Sequence, residues 1–293
     1  MTPFNEPSRL RVLVTGGAGK IGTALRSHWR GRYGLLRLAD IAAQEPAGAG
    51  EEICHLDMRD ITSVEKSMEG MDCVVHLAGI PHEDTWDNIL SVNIEGTYNA
   101  FEAARRQGVR RVVFASSNHV IGFHRREEVV DTDAQPRPDS RYGVSKVFGE
   151  ALGSMYADKY GLSVACLRIG PFRTPDKPNA PRELMNWLSH ADMAQLAGRC
   201  VEHPKYHFVV LYGVSNNTRN RWDNSKVGFI GYRPTDNAET FAGEFSTDAK
   251  PEDPIAIQFH GGIYCSREFV GDTTRMDDSN NSAGAYSGKG KTT

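Results

Sequence analysis

The sequence contains no C-x-x-C pair, and its five cysteines, Cys54, Cys73, Cys166, Cys200 and Cys265, are scattered along 293 residues. That excludes a zinc knuckle, a thioredoxin-like redox pair and a disulfide framework. Cysteines inside or beside apolar runs read as small buried hydrophobes, and a reducing cytoplasm is the expected location. Long hydrophobic runs are absent too. No stretch reaches the ~18 apolar residues of a membrane span, and polar Met1–Ser8 lacks the apolar segment of a signal peptide. Nor does charge of one sign dominate: 34 Lys+Arg stand against 37 Asp+Glu, a net charge of −3. That balance argues against nucleic acid or an anionic membrane as a partner.

What is present is alternation. Leu10–Thr15, Leu35–Asp40, Cys73–Leu77, Arg111–Ser116 and Ser163–Ile169 are short β-branched runs, with a weaker one at Glu52–Asp57. Amphipathic stretches lie between them, at about Lys20–Trp29, Trp86–Arg106 and Arg141–Tyr160. Strands alternating with helices imply βαβ crossovers, hence an α/β fold of Rossmann type, a doubly wound parallel sheet covered on both faces. After Ile169 the rhythm breaks. Pro171, Pro175, Pro178 and Pro181 exclude a regular helix or central strand and predict a long loop of the kind that carries function. A helix near Ala191–Glu202, a strand at Phe208–Tyr212 and a helix starting near Asp236 follow. The expected organisation is a dinucleotide-binding unit over 9–170, a small substrate-binding cap over 171–270 and a disordered polar tail over 271–293.

Gly16, Gly19 and Gly22 form G-x-x-G-x-x-G between the first strand and the first helix. Glycines there permit a tight turn and a close approach of pyrophosphate to the helix N-terminus, whose free amides and positive dipole end favour phosphate. Lys20 and Ile21 lie inside the same turn. Asp40 ends the second strand, where a carboxylate binds a ribose hydroxyl and repels a 2′-phosphate, so NAD is expected over NADP. Tyr142 and Lys146 stand one helical turn apart and share a face. A nearby ammonium favours a phenolate, so the spacing predicts a lowered Tyr142 pKa and a proton acceptor usable near neutrality.

Taken in order, V-T-G-G-A-G-K-I-G (Val14–Gly22), L-A-D (Leu38–Asp40), L-D-M-R-D (Leu56–Asp60), H-L-A-G (His76–Gly79), V-N-I-E-G-T (Val92–Thr97), F-A-S-S-N-H (Phe114–His119) and Y-G-V-S-K (Tyr142–Lys146) resemble the extended short-chain dehydrogenase/reductases, the NAD-dependent epimerase/dehydratase superfamily. The resemblance implies a catalytic Ser117, Tyr142 and Lys146, with Ser117 holding the substrate hydroxyl and Lys146 also binding the nicotinamide ribose. It places Asp57 near the adenine, lines the cofactor trough with Leu77, Ala78 and Gly79, and has Asn93 supporting the site. Ser116 is expected to be structural. Further runs, from Arg137–Glu150 to Gly228–Glu239, resemble the uronate dehydrogenase group, which oxidises the anomeric carbon of a hexuronate to an aldarolactone with NAD. That likeness implies a sugar acid held by Ser117, Asn118, His119, Tyr142 and Arg182, with Arg182 on the carboxylate, no metal, and a homo-oligomer. Where the group carries serines, this chain has Pro81 followed by His82, and Pro171. The alternatives are an epimerase or dehydrogenase of another small or nucleotide-linked sugar, and a dinucleotide sensor without turnover. Asn118 and His119 occupy the place of the acid pair of sugar-nucleotide dehydratases, which disfavours dehydration.

Overall fold

The computed structural model describes residues 3–245 and 252–276. The expected disordered tail therefore lies, from residue 277 onward, outside the described residues. Strands β1 (Arg11–Thr15), β2 (Leu35–Asp40), β3 (Glu51–His55), β4 (Cys73–His76), β5 (Arg111–Ser117), β7 (Ser163–Ile169) and β8 (Phe208–Gly213) form one sheet in the order β3-β2-β1-β4-β5-β7-β8. Every neighbouring pair is parallel. A separate two-stranded ladder joins β6 (Val130–Asp131) to β9 (Trp222–Asp223).

The helices lie where the crossovers require. α1 (Lys20–Trp29) and α7 (His190–Glu202) cover one face, where Leu25, Trp29, Leu196 and Cys200 pack on Val12, Val14 and Val75. On the other face α2 (Ile61–Met68), α4 (Gly96–Arg106) and α5 (Arg141–Tyr160) bring Val64, Met68, Phe101 and Tyr156 onto Leu13, Val74 and Phe114. α4 continues from α3 (Trp86–Asn88) through a π-helical stretch, Ile89–Glu95, so the expected helix over Trp86–Arg106 exists with a widened middle. α5 starts at Ser140, whose hydroxyl accepts the Gly143 N–H, and stops at left-handed Gly161. No described helix is long and apolar enough to cross a membrane.

Beyond residue 170 the chain does not simply leave the sheet. α7 packs against α1, and β8 adds the seventh strand beside β7, in register from Val164↔Phe208 to Ile169↔Gly213. Residues 190–213 thus serve the sheet layer, and the proline-rich stretch and the residues after 214 remain to cover its carboxyl edge. The proline-rich stretch is a loop up to the short helix α6 (Glu183–Asn186). The helix expected from Asp236 is a 3₁₀ segment, Ala238–Glu244, capped by the Asn237 side chain. A last short helix, α8 (Ile263–Ser266), returns to the same edge.

Candidate active site

The strand order reverses direction between β1 and β4, and in open parallel sheets ligands bind at the carboxyl ends of the strands beside such a switch point. The glycine turn lies there. Gly16 has φ +74°, and a side chain on it would press on the Ala78 backbone of the opposing β4 turn. On Gly22 a side chain would overlap Gly16 and Gly17. Gly19 is the N-cap of α1 and no side chain caps the helix, so Lys20, Ile21 and Gly22 present their first-turn amides at the floor of a cradle. Asp40 closes that cradle: Oδ2 accepts the Ala18 N–H at 2.9 Å and Oδ1 the Ala42 N–H at 2.9 Å. Its carboxylate keeps lone pairs for a diol. A dinucleotide fits these residues, with pyrophosphate at the α1 amides and a ribose at Asp40.

The far wall of the trough is Leu77, Ala78 and Gly79. Thr15 Oγ1 anchors it, accepting the Ala78 N–H at 3.3 Å and meeting His76 Nδ1 at 2.8 Å. Asn93, 3% exposed on the π-helical stretch, is the brace: Oδ1 accepts the Ile80 N–H at 2.8 Å, while Nδ2 donates to the Ile80 carbonyl and to Ser145 Oγ. Ser145 in turn donates to the Tyr142 carbonyl at 2.7 Å, so one amide ties the trough to α5. Asp57 is gripped by the Arg59 guanidinium, which holds its carboxyl below the usual range.

Ser117 at the end of β5 and Tyr142 and Lys146 on α5 converge. The Tyr142 phenol faces Ser117, whose hydroxyl favours the phenolate and whose Oγ accepts the His119 N–H at 3.2 Å. Lys146 Nζ lies 5.5 Å from the centre of the Tyr142 ring and 5.1 Å from that of Phe114. Burial pushes the Tyr142 phenol up to about 12, with the nearby Ser117 hydroxyl opposing it. It pushes the Lys146 ammonium down to about 8. The shift on Tyr142 is therefore opposite to the one that the Tyr/Lys spacing predicts. Desolvation of the anion dominates because the ammonium sits over the ring face, itself buried. Ser116 faces away and donates to Glu150 at 2.6 Å, which forms a buried pair with Arg168, a structural role as expected.

Asn118 is buried in the turn after β5, and His119 follows it with its ring against Tyr142, centroids 5.8 Å apart. Two contacts on His119 escape any reading of the sequence. Its Nδ1 meets Asp139 Oδ2 at 2.7 Å, and its ring lies against the tilted ring of Tyr264 of α8, centroids 4.0 Å apart. Arg182 stands just before α6. Its Nη2 donates to the His260 carbonyl at 2.8 Å, its Nε is buried without a partner, and no described carboxylate comes within ion-pair distance. Burial lowers its pKa. Arg173, earlier in the same loop, is instead neutralised by Glu183. Pro81 is exposed and Pro171 half-buried at the same edge.

A parallel sheet in this order, a glycine cradle at its switch point and a Ser/Tyr/Lys group on β5 and α5 define a Rossmann-type NAD-dependent oxidoreductase. Residues 12–206 match the NAD dependent epimerase/dehydratase family, and the chain belongs to it. It is 40% identical over 266 residues to uronate dehydrogenase of Pseudomonas putida, covering 90% of this chain and 96% of that one. It is also 40% identical over 257 residues to L-arabinose 1-dehydrogenase (NAD(P)(+)) of Haloferax volcanii, covering 78% and 98%. The crystal structure of uronate dehydrogenase from Agrobacterium tumefaciens superimposes with a TM-score of 0.83 at 41% identity, covering 88% of this chain and 97% of that one. A mutant of that enzyme has been solved in complex with NAD.

Proposed function

We propose that the protein oxidises the anomeric carbon of a free hexuronate, glucuronate- or galacturonate-like, to the aldarolactone with NAD. In this reading Ser117 holds the C1 hydroxyl and Tyr142 accepts its proton as hydride leaves C1. Lys146 supplies positive charge beside the phenol and a donor for the nicotinamide ribose. NAD, when bound, supplies the nicotinamide ring that receives the hydride. Gly16, Gly19 and Gly22 seat the pyrophosphate, Asp40 takes the adenosine ribose, and Asp57, Leu77, Ala78, Gly79 and Asn93 shape the trough. Asn118 and His119 bind ring hydroxyls.

One observation supports a sugar acid over a neutral aldose such as arabinose: the Arg182 guanidinium. A cation drawn out of water is costly unless paired, and among the described residues no carboxylate lies within ion-pair distance of this half-buried one, whose Nε has no partner. A substrate carboxylate completes it, and the planar fork suits that group bidentately. The test is an NADH absorbance assay of wild type and Arg182→Met against glucuronate, galacturonate, glucose and arabinose. Losing a pair of charge-assisted hydrogen bonds costs about 3 kcal/mol, so kcat/KM for the uronates falls about a hundredfold, while the small activity on neutral aldoses is unchanged. Uronates that yield no NADH with wild type, or an Arg182→Met enzyme that handles them normally, overturn the reading. Changed stereochemistry without net NADH would establish the epimerase alternative.

A further inference from the structure

The residues that touch His119 fix more than its position. Asp139, just before the Ser140 cap of α5, has a side chain with no solvent exposure. Its Oδ1 accepts the Ser140 hydroxyl at 2.8 Å, and its Oδ2 meets His119 Nδ1 at 2.7 Å, with Cys265 Sγ at 4.0 Å. The chain is arranged to permit this. A side chain on Gly261 or on Gly122 would collide with Asp139, so both backbones close down on the carboxylate. The Gly261 N–H donates to the Gly122 carbonyl at 2.8 Å, which ties the two turns of that wall together. On its other side the imidazole is covered by the tilted Tyr264 ring and touched edge-on by Tyr142.

We propose that Asp139 is a positioning residue that sets the tautomer of His119 and thereby its chemical role toward the substrate. A carboxylate only accepts, so Nδ1 carries the hydrogen. In the neutral ring Nε2 is then a bare lone pair, on a side chain that keeps 15% of its surface exposed and meets Tyr142 edge-on. The imidazole accepts a hydrogen bond and does not donate one. It therefore selects a hydroxyl at its position on the sugar and disfavours a carbonyl, an ether or a carboxylate oxygen there. Tyr264 packs against the ring at 4.0 Å and, with the Asp139 contact, limits its rotation. The same carboxylate-to-imidazole arrangement fixes ring nitrogens in metal sites and catalytic triads. Here it serves recognition of a sugar hydroxyl, and it rests on the sugar-acid reading only for the identity of the substrate.

The experiment has a spectroscopic arm and a kinetic arm. In protein labelled with ¹⁵N-histidine at pH 8, long-range ¹H–¹⁵N correlation of the His119 ring, assigned by comparison with His119→Gln, shows the neutral Nδ1–H tautomer. In Asp139→Ala the two tautomers exchange, and KM for the uronate rises at least tenfold with KM for NAD unchanged. Asp139→Asn, whose amide oxygen can still accept Nδ1–H, recovers to within about threefold of wild type. In a His119→Gln background, Asp139→Ala adds no further change in KM. An Nε2–H tautomer or an imidazolium in wild type overturns the proposal, as does a KM effect of Asp139→Ala that persists undiminished without His119. Because the tautomer is read without turnover, a protein inactive on uronates would refute the substrate and leave this arm standing.

Discussion

Replacing Lys146 with methionine keeps most of the stem and removes the ammonium with its N–H donors, and the pH dependence of the loss separates what the charge does for Tyr142 from ribose binding. At the 5.5 Å separating Nζ from the phenol ring, with an effective dielectric constant of about 20, the attraction for a phenolate is about 3 kcal/mol. That equals about two pKa units on a phenol that burial has pushed up to about 12. The assay is kcat/KM from NADH formation at saturating NAD between pH 6 and 10. Lys146 is pushed down to about 8, so it is charged below that value and loses its charge above it. The deficit of Lys146→Met is therefore about a hundredfold at pH 7 and shrinks to less than tenfold by pH 10, where the wild-type side chain is neutral too. The pair titrates together, so the profile reports joint values. A loss of equal size at every pH would refute the electrostatic argument and leave Lys146 with ribose binding alone.

Three further outcomes follow from contacts elsewhere. Asp40→Ala removes a carboxylate that anchors the Ala18 and Ala42 amides, so calorimetry should show NAD binding weakened about tenfold or more and its preference over NADP reduced. Arg168→Met leaves Glu150 buried and unpaired at a cost of about 3–5 kcal/mol in urea unfolding, and the double variant Arg168→Met, Glu150→Leu recovers most of it; additive losses would contradict the pairing. Burial holds His76 down to about 3 and His260 to about 4. Below ~6.5 the unfolded chain takes up protons that these two refuse when folded, so stability falls as pH drops. Each contributes a loss of about 2 kcal/mol between pH 7 and 5, and a urea midpoint that stays constant over that range would refute it.

The sheet was legible because its central strands, buried on both faces, write themselves as unbroken β-branched runs. Edge strand β3 was placed a residue or two late, since its half-exposed residues carry little pattern. α2 escaped notice: it is short, and its start is marked only by Asp60, whose side chain accepts the Thr62 N–H. The boundary near residue 170 follows the loss of rhythm in the proline loop, but β8 lies beyond it and still joins the sheet, a pairing decided by tertiary contact. In the site, spacing announced the glycine cradle, Asp40 and the Tyr142–Lys146 face. It could not announce burial, which reversed the sign of the Tyr142 shift. Nor could it announce Asp139 and Tyr264, which reach His119 from other parts of the chain and carry no motif of their own.

The wall behind His119 has a consequence for how the enzyme comes into being. Its parts are the last described stretch of chain: His260 offers its carbonyl to Arg182, Gly261 closes on Asp139, and Tyr264 covers the imidazole. A polypeptide that stopped short of Phe259 would already possess every strand of the sheet, the glycine cradle and the Ser/Tyr/Lys group. In such a chain the sugar side of the site would lack the wall that Gly261 and Tyr264 form. Cofactor capture and substrate selection thus draw on different stretches of the chain, and the wall that shapes the sugar site is synthesised after the cradle that would seat the dinucleotide.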